Sequence, residues 1–418
     1  MTGAASQGSA LAEWRANWPV ALAATLGCSL TSIHVYSIGV FIFPLETEFG
    51  WTRAEISSGM MILGVVGVLL SPFVGGAIDR WGPRRIGLGG AALHLCTFAT
   101  LSQVTGHIWT WWAAWLLVST SAAFISPTVW AAAISSLFHK SRGLALAVVL
   151  TGTALSSMVV PAIGNTLVQH IGWRAAYVGI SLSWAAVVLP LLWLFFYGAS
   201  DRRRGRDGSR GASAAQLVSG LSARDGFRSP KYLCLALGAA ALMFASGGIL
   251  VNLVPILKAD GVSMSTAAWI AGMTGIGTIS GRLATGWLLD RFQANVVGAI
   301  GVLLPIFTAA LLLAFPGSVP FAIAAALLLG LNLGSEVDAV GYLVARHFGL
   351  RAFGALFGTI IGITNLLLGV GPLVANHIYD LTRSYDVFLW IAIPTCLVAA
   401  LLFLAVGRNP EGSDAYAH

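Results

Sequence analysis

Apolar stretches of about 20 residues recur along nearly the whole 418-residue chain, and that is the length a helix needs to cross the ~30 Å hydrocarbon layer of a bilayer. Inside lipid every backbone N–H and C=O must be satisfied by the protein itself, so a chain of this kind folds as bundled helices. Charged residues make up only 9% of it, against about 25% in an ordinary soluble domain. The runs place helices near 18–45, 53–78, 86–105, 109–137, 142–168, 173–197, 231–257, 265–289, 295–315, 319–347, 351–379 and 385–407. The expected fold class is therefore all-α integral membrane, with twelve transmembrane helices. The first run is longer than a signal-peptide core and no small-residue cleavage site ends it, so it is read as a retained helix.

The net charge of +7 is explained by its placement. Eighteen of the 23 Lys and Arg residues fall in alternate loops on one side, four (Arg53, Arg174, Lys258, Arg383) on the other, and Arg282 lies within a helix. The positive-inside rule puts both termini in the cytoplasm of a multi-pass protein of the plasma (cell inner) membrane. A missed helix would invert every later loop, so the alternation also supports the helix count. Membrane lipid is then the expected surrounding, with the cluster Arg202 to Arg210 a candidate for anionic headgroups; nucleic acid is not expected. Cys28, Cys96, Cys234 and Cys396 stand singly in expected helices, without a CxxC pair, so neither a disulfide framework nor a metal site is indicated. No cofactor is expected.

Gly75-x-x-x-Asp79-Arg80 after the second helix returns as Gly286-x-x-x-Asp290-Arg291 after the eighth, an offset of 211 residues. The same offset pairs Gly50 with Gly261, Gly64 with Gly275, Pro161 with Pro372 and Asn165 with Asn376. Two six-helix pseudo-repeats account for this: an N-terminal half at 1–197, a cytoplasmic Arg-rich linker at 198–230 and a C-terminal half at 231–418. In such duplicated carriers the substrate path runs between the halves near mid-depth, and rocking exposes it to each side in turn.

The loop Gly75-Gly76-Ala77-Ile78-Asp79-Arg80-Trp81-Gly82-Pro83-Arg84-Arg85 resembles the signature of the major facilitator superfamily between its second and third helices, with Pro83 where a basic residue is common. The segments Gly39-Val40-Phe41, Phe49-Gly50-Trp51-Thr52-Arg53-Ala54-Glu55-Ile56 and Phe138-His139-Lys140-Ser141-Arg142-Gly143-Leu144-Ala145 resemble the monocarboxylate transporter branch and its oxalate:formate antiporter relatives. The resemblance implies the major facilitator fold, a carboxylate substrate and gating by Gly75, Asp79, Arg80, Asp290 and Arg291, with Gly75 allowing close packing. It also implies that Arg282, in the eighth helix, pairs with the substrate carboxylate. The chain departs from the branch at Tyr36, where many members have Lys, and at Thr278, where they often have Asp.

Elementary energetics single out the same arginine. A charge at a helix centre costs about 2.5–3.5 kcal/mol on insertion scales and needs a partner or a cavity, and a guanidinium matches a carboxylate with two parallel hydrogen bonds. Two compensations are open: a substrate carboxylate, or a permanent pair with Glu336 or Asp338, the acidic residues deep in the tenth helix. Arg282 and Asp338 each lie about 12 Å from the cytoplasmic ends of their helices at 1.5 Å per residue, which gives them a common depth. Two positions apart means about 200° of rotation, so Asp338, with Ser335 and Tyr342 on its face, and Glu336, with Asn332, point to different surroundings. Either acid is a candidate proton-coupling group, Asp338 the favoured one.

His34, Tyr36, Asn252 and Asn365 lie near mid-depth and are candidate substrate contacts, or else interhelical hydrogen-bonding residues. Trp109, Trp111, Trp112 and Trp115 read as an interfacial belt. The chain contains no HExxH, GxSxG or phosphate loop, and its intramembrane polar residues make no nucleophile–base set, so no enzyme is indicated. A secondary active transporter of a small organic monocarboxylate, working as a monomer by proton symport, is expected; an exporter or antiporter of a drug, metabolite or dicarboxylate is the alternative.

Overall fold

The computed structural model describes residues 10–138, 140–198, 221–349 and 351–407, except the side chains of Ala10, Ser71, Pro72 and Asp79. The Arg202–Arg210 cluster, His139 and both chain ends lie outside the described residues. Each expected helix range contains a helix. The first half of the chain holds α1 (Ala10–Ser29), α2 (Ile33–Phe49), α3 (Arg53–Trp81), α4 (Pro83–Thr100), α5 (Ile108–Ala123), α6 (Pro127–Leu137), α7 (Arg142–Leu150) and α8 (Gly152–Phe195). After the short α9 (Ala223–Arg228) follow α10 (Pro230–Ala259), α11 (Met264–Leu289), α12 (Ala294–Ala314), α13 (Val319–Phe348), α14 (Phe353–Thr382) and α15 (Asp386–Ala405).

Among the described residues nine helical runs are long and apolar enough to cross a membrane. One of them, Arg142–Phe195, spans 54 residues, about 80 Å at 1.5 Å per residue and so far more than one crossing. It divides at Gly172, whose φ of 79° suits a residue without Cβ. α1 and α2 form a continuous apolar run bent at the 3₁₀ turn Leu30–Ser32. α4 and α11 fall outside the nine. Their Arg84, Arg85 and His94, and Arg282 with its neighbouring Thr and Gly residues, lower the mean hydropathy.

Helix ends follow local chemistry. Thr52 and Glu55 make a reciprocal capping box at the start of α3, and Ser263 caps α11 through Thr266 N–H. Gly50, at φ 66°, closes α2 in the left-handed region.

The two halves of the chain meet along two long seams, α3 on α14 and α8 on α11, and also where Gly39 of α2 approaches the Val251 carbonyl of α10. A Cβ at Gly64 would stand 2.7 Å from Leu366 Cα, and one at Gly369 2.8 Å from Met61 Cα; on the other seam a Cβ at Gly272 would stand 2.8 Å from the Met158 carbonyl. These contacts crowd toward one end of the bundle. Toward the other, Gly67, Gly75 and Gly76 of α3 and Gly354 and Gly358 of α14 have nothing within 4 Å of their Cβ positions, so the seam opens as a V at the end bearing the Gly75–Arg85 loop. The close packing expected at Gly75 occurs instead at Gly64 and Gly369, because the helices diverge before reaching Gly75.

Candidate functional site

α11 and α13 touch backbone to backbone. A Cβ on Gly277 would lie 3.0 Å from Gly330 Cα, and one on Gly334 would lie 2.8 Å from the Arg282 nitrogen. With no side chain held between them, the two helices place Arg282 against Asp338, Nε to Oδ2 3.6 Å. That is an ion pair longer than a hydrogen bond. The arginine side chain is 9% exposed and the aspartate 29%. Nε and Nη1 of Arg282 are buried without a hydrogen-bond acceptor among the described residues, and an unmet buried donor costs on the order of 1–3 kcal/mol, more when charged. Asp338 therefore balances the charge but leaves the donor fork unfilled.

The first half of the chain faces this fork. Cys28 of α1 and Tyr36 of α2 lie within electrostatic range of the Arg282 guanidinium, and the Tyr36 hydroxyl meets Ser157 of α8. Thr278, one turn before Arg282, is buried and donates to the Thr274 carbonyl at 2.8 Å. Asn365 is exposed. On α14 the face through Gly362, Leu366 and Gly369 packs on α3, and the face through Leu368 and Gly371 packs on α10. At 100° per residue Asn365 sits on the narrow arc between those two faces.

Other candidates lie elsewhere. Glu336 is 5% exposed, with Oε2 unpartnered, and lines a cavity of roughly 10 Å³ within the second half together with Asn332, Leu242, Gly301 and Phe403. That is room for about one water. Ser335, expected on the Asp338 face, lines this same cavity; its hydroxyl donates to the Asn332 carbonyl at 2.8 Å. Asn252 is fully buried and donates to Gly248 of its own helix at 2.9 Å, with Oδ1 unmet.

His34 is corrected. It is 2% exposed inside the first half, its Nδ1 3.4 Å from His94 Nε2, and His94 Nδ1 stands 3.0 Å from Ser121 Oγ. The ring packs edge-on against His94 of α4 and Trp115 of α5 instead. The tryptophan belt is corrected in part: Trp109 and Trp112 are exposed, but Trp111 and Trp115 are core residues, with Trp111 Nε1 donating to the Ile56 carbonyl at 2.9 Å.

At the open end Arg80, Asp290 and Arg291 are exposed, the Arg80 guanidinium 5.8 Å from the Trp81 ring and that of Arg291 4.0 Å from the Trp287 ring. Gly75 is exposed too, and the side chain of Asp79 lies outside the described residues.

At the closed end polar contacts cross both seams. The Asp380 carboxylate accepts from the backbone N–H groups of Arg53 (3.1 Å) and Ala54 (2.9 Å) at the start of α3. Arg53 Nη1 donates to Tyr385 Oη at 3.1 Å, its guanidinium lies 3.8 Å over the Tyr379 ring, and it pairs with Glu46 at 3.2 Å. Tyr385 donates to Asn376 Oδ1 at 2.7 Å, and Asn376 Nδ2 donates to Ser57 Oγ. On the other seam Asn165 and Gln169 of α8 donate to Ser265 Oγ of α11 at 3.3 and 3.2 Å. In the sequence Asn165 and Asn376 stand out as repeat-related positions, and Arg53 as a loop charge within the family-like segment 49–56; the offset of 211 was the available signal.

Comparison with known proteins places this geometry in a family. Residues 22–335 and 235–416 match the family model of the Major Facilitator Superfamily. The chain is 26% identical to monocarboxylate transporter 13 of Bos taurus over 302 residues, covering 70% of this chain and spanning 65%, just under two thirds, of that protein's length. It is 26% identical to the gallate transporter of Pseudomonas putida over 382 residues, covering 79% of this chain and 82% of that protein. The fold superposes with a TM-score of 0.71 on an inward-facing, unoccupied bacterial homologue of the human lysosomal transporter Spinster, at 18% identity, over 94% of this chain and 98% of the other. With the family model matched across both halves and the fold shared along almost its whole length, this chain belongs to the Major Facilitator Superfamily of multi-pass membrane transporters.

Proposed function

We propose that this protein moves a small organic monocarboxylate across the membrane by alternating access, coupled to a proton. The observation that carries the reading is the Arg282 guanidinium, buried where the two halves face each other, with Nε and Nη1 lacking acceptors. A carboxylate fits that fork with two parallel bonds. Tyr36, Asn365 and, in another conformation, Asn252 supply neutral hydrogen bonds to the rest of the substrate. One guanidinium with unfilled donors at this site favours a monoanion over a dianion. The likeness to a monocarboxylate transporter and a gallate transporter, each acting on a carboxylate by its name, is in keeping with this.

In the working cycle the two bodies, 1–197 and 231–418 joined by the linker 198–230, rock about the site. With both termini in the cytoplasm of the cell inner membrane, the open V faces inward. Protonation of Asp338 releases its hold on Arg282, the substrate anion takes its place, and one proton and one negative charge cross together. Glu336 stays in the interior of its own half and holds helix α13 in place.

The test is uptake of a labelled monocarboxylate panel into proteoliposomes under an inward proton gradient, for wild type and Arg282→Ala. Accumulation of one acid by wild type and its loss in the variant support the reading. If no acid moves, or Arg282→Ala transports normally, the reading is overturned in favour of an exporter or antiporter of a drug, metabolite or dicarboxylate.

A further inference from the structure

The contacts that seal the closed end obey the internal repeat. Adding 211 to Ala54, Asn165 and Gln169 gives Ser265, Asn376 and Asp380. On one seam Asp380 of α14 takes the N–H groups of Arg53 and Ala54 at the start of α3. On the other its counterpart Gln169 of α8 reaches Ser265 at the start of α11, where Ala54 has its counterpart. One turn deeper the repeat-related Asn376 and Asn165 each donate across their seam to a serine, Ser57 and Ser265.

We propose that these residues form the outer gate of the carrier, a pseudo-twofold clasp in which the Asp380 seam is the latch and the Gln169 seam is its weaker twin. The inference rests on the transporter reading with the open V facing the cytoplasm.

The asymmetry follows from chemistry. Asp380 brings a full negative charge to a helix N-terminus, where unpaired N–H groups and the positive end of the helix dipole favour it. Arg53 adds a guanidinium bonded to Tyr385 and stacked on Tyr379 across the same seam. Gln169 offers only a neutral amide to a neutral hydroxyl, while the two helix starts are capped alike, α3 by Thr52 and α11 by Ser263. The latch is also made to come undone: when the seam parts, the Arg53 and Ala54 N–H groups lie at the outer end of α3, within reach of water, while Thr52 still caps Glu55.

The gate is read by labelling, independently of any substrate. Met60, on the α3 seam and 1% exposed, is replaced by cysteine, and the rate at which an impermeant charged maleimide reaches it from outside intact cells is measured; the parent without Met60→Cys gives the background from the four native cysteines. Arg53→Gln raises the rate by about tenfold, the effect of one lost charge-assisted bond, and Asp380→Ala, which loses two, raises it at least as much. Gln169→Ala raises it less than twofold. Gln169→Asp, which installs the second carboxylate opposite Met264 and Ser265, lowers it several-fold. Melting of the purified variants shows that the fold is kept. If Asp380→Ala and Arg53→Gln melt normally and label at the parental rate, or if Gln169→Ala matches them, the latch assignment is overturned. Failure of monocarboxylate uptake would leave these rates unchanged, so the two readings fail separately.

Discussion

Arg282 approaches Asp338 through Nε at 3.6 Å, while Nη1 of the same guanidinium meets no acceptor among the described residues. The pair balances charge at mid-depth without using up the donors, which is the state a binding group needs before its ligand arrives.

Replacing Arg282 by Lys keeps the charge but removes the planar fork. Losing one of two charge-assisted bonds, worth roughly 1.5–3 kcal/mol, is expected to weaken binding about 10- to 100-fold. Substrate counterflow in proteoliposomes measures this, with KM rising more than the maximal rate falls; an unchanged KM would remove Arg282 from the substrate contact.

Asp338→Asn leaves a neutral partner beside Arg282 and no group to exchange a proton. Exchange of substrate for substrate is expected to survive, while uphill uptake driven by a pH gradient is lost. Glu336→Gln, inside its small cavity, is expected to retain both, since the amide preserves size and hydrogen bonding. Proton-driven accumulation that persists in Asp338→Asn and vanishes in Glu336→Gln would exchange the two roles.

The backbone contact between α11 and α13 has no room for a side chain at Gly277, whose Cβ would lie 3.0 Å from Gly330 Cα and Leu331 N. Gly277→Val is expected to destabilise the protein by about 1–3 kcal/mol and to part Arg282 from Asp338. A lower melting temperature in detergent together with weakened binding checks it; a variant that melts and binds like wild type contradicts the tight seam.

Asp260, after the last turn of α10 at the closed end, has its carboxyl pushed up to about 6 by burial and by the neighbouring Asp386. An unfolded chain releases that proton near 3.9, so between roughly pH 4 and 6 the folded state binds more protons than the unfolded one, and stability falls as pH rises through that window. Asp260→Asn is expected to raise the melting temperature at pH 7.5 and to leave it nearly unchanged at pH 4. A variant that gains nothing at pH 7.5 speaks against a buried, charged Asp260.

His34 sits in a buried chain through His94 to Ser121. His34→Phe is expected to lower thermal stability and leave the KM for substrate unchanged, the reverse of what a substrate contact gives.

What the sequence determined by itself was whatever the bilayer reads one residue at a time. Apolar runs and the alternation of Arg-bearing loops follow from transfer of single helices into lipid, the 211-residue repeat is written in the residues themselves, and the cost of a buried charge made Arg282 conspicuous before any contact was known. Depth along a helix was also legible, since 1.5 Å per residue needs no partner, and it put Arg282 level with Asp338. Rotation and distance between helices were decided only in the tertiary structure. The glycine seam of α11 and α13 sets Asp338 against Arg282 and Glu336 into its own half, and His94 and Trp115 enclose His34, which hydropathy could not separate from Tyr36 two residues on. The Asp380 seam at the closed end joins residues more than 300 positions apart, and nothing local to Arg53 or Asp380 distinguishes a loop charge from half of a gate.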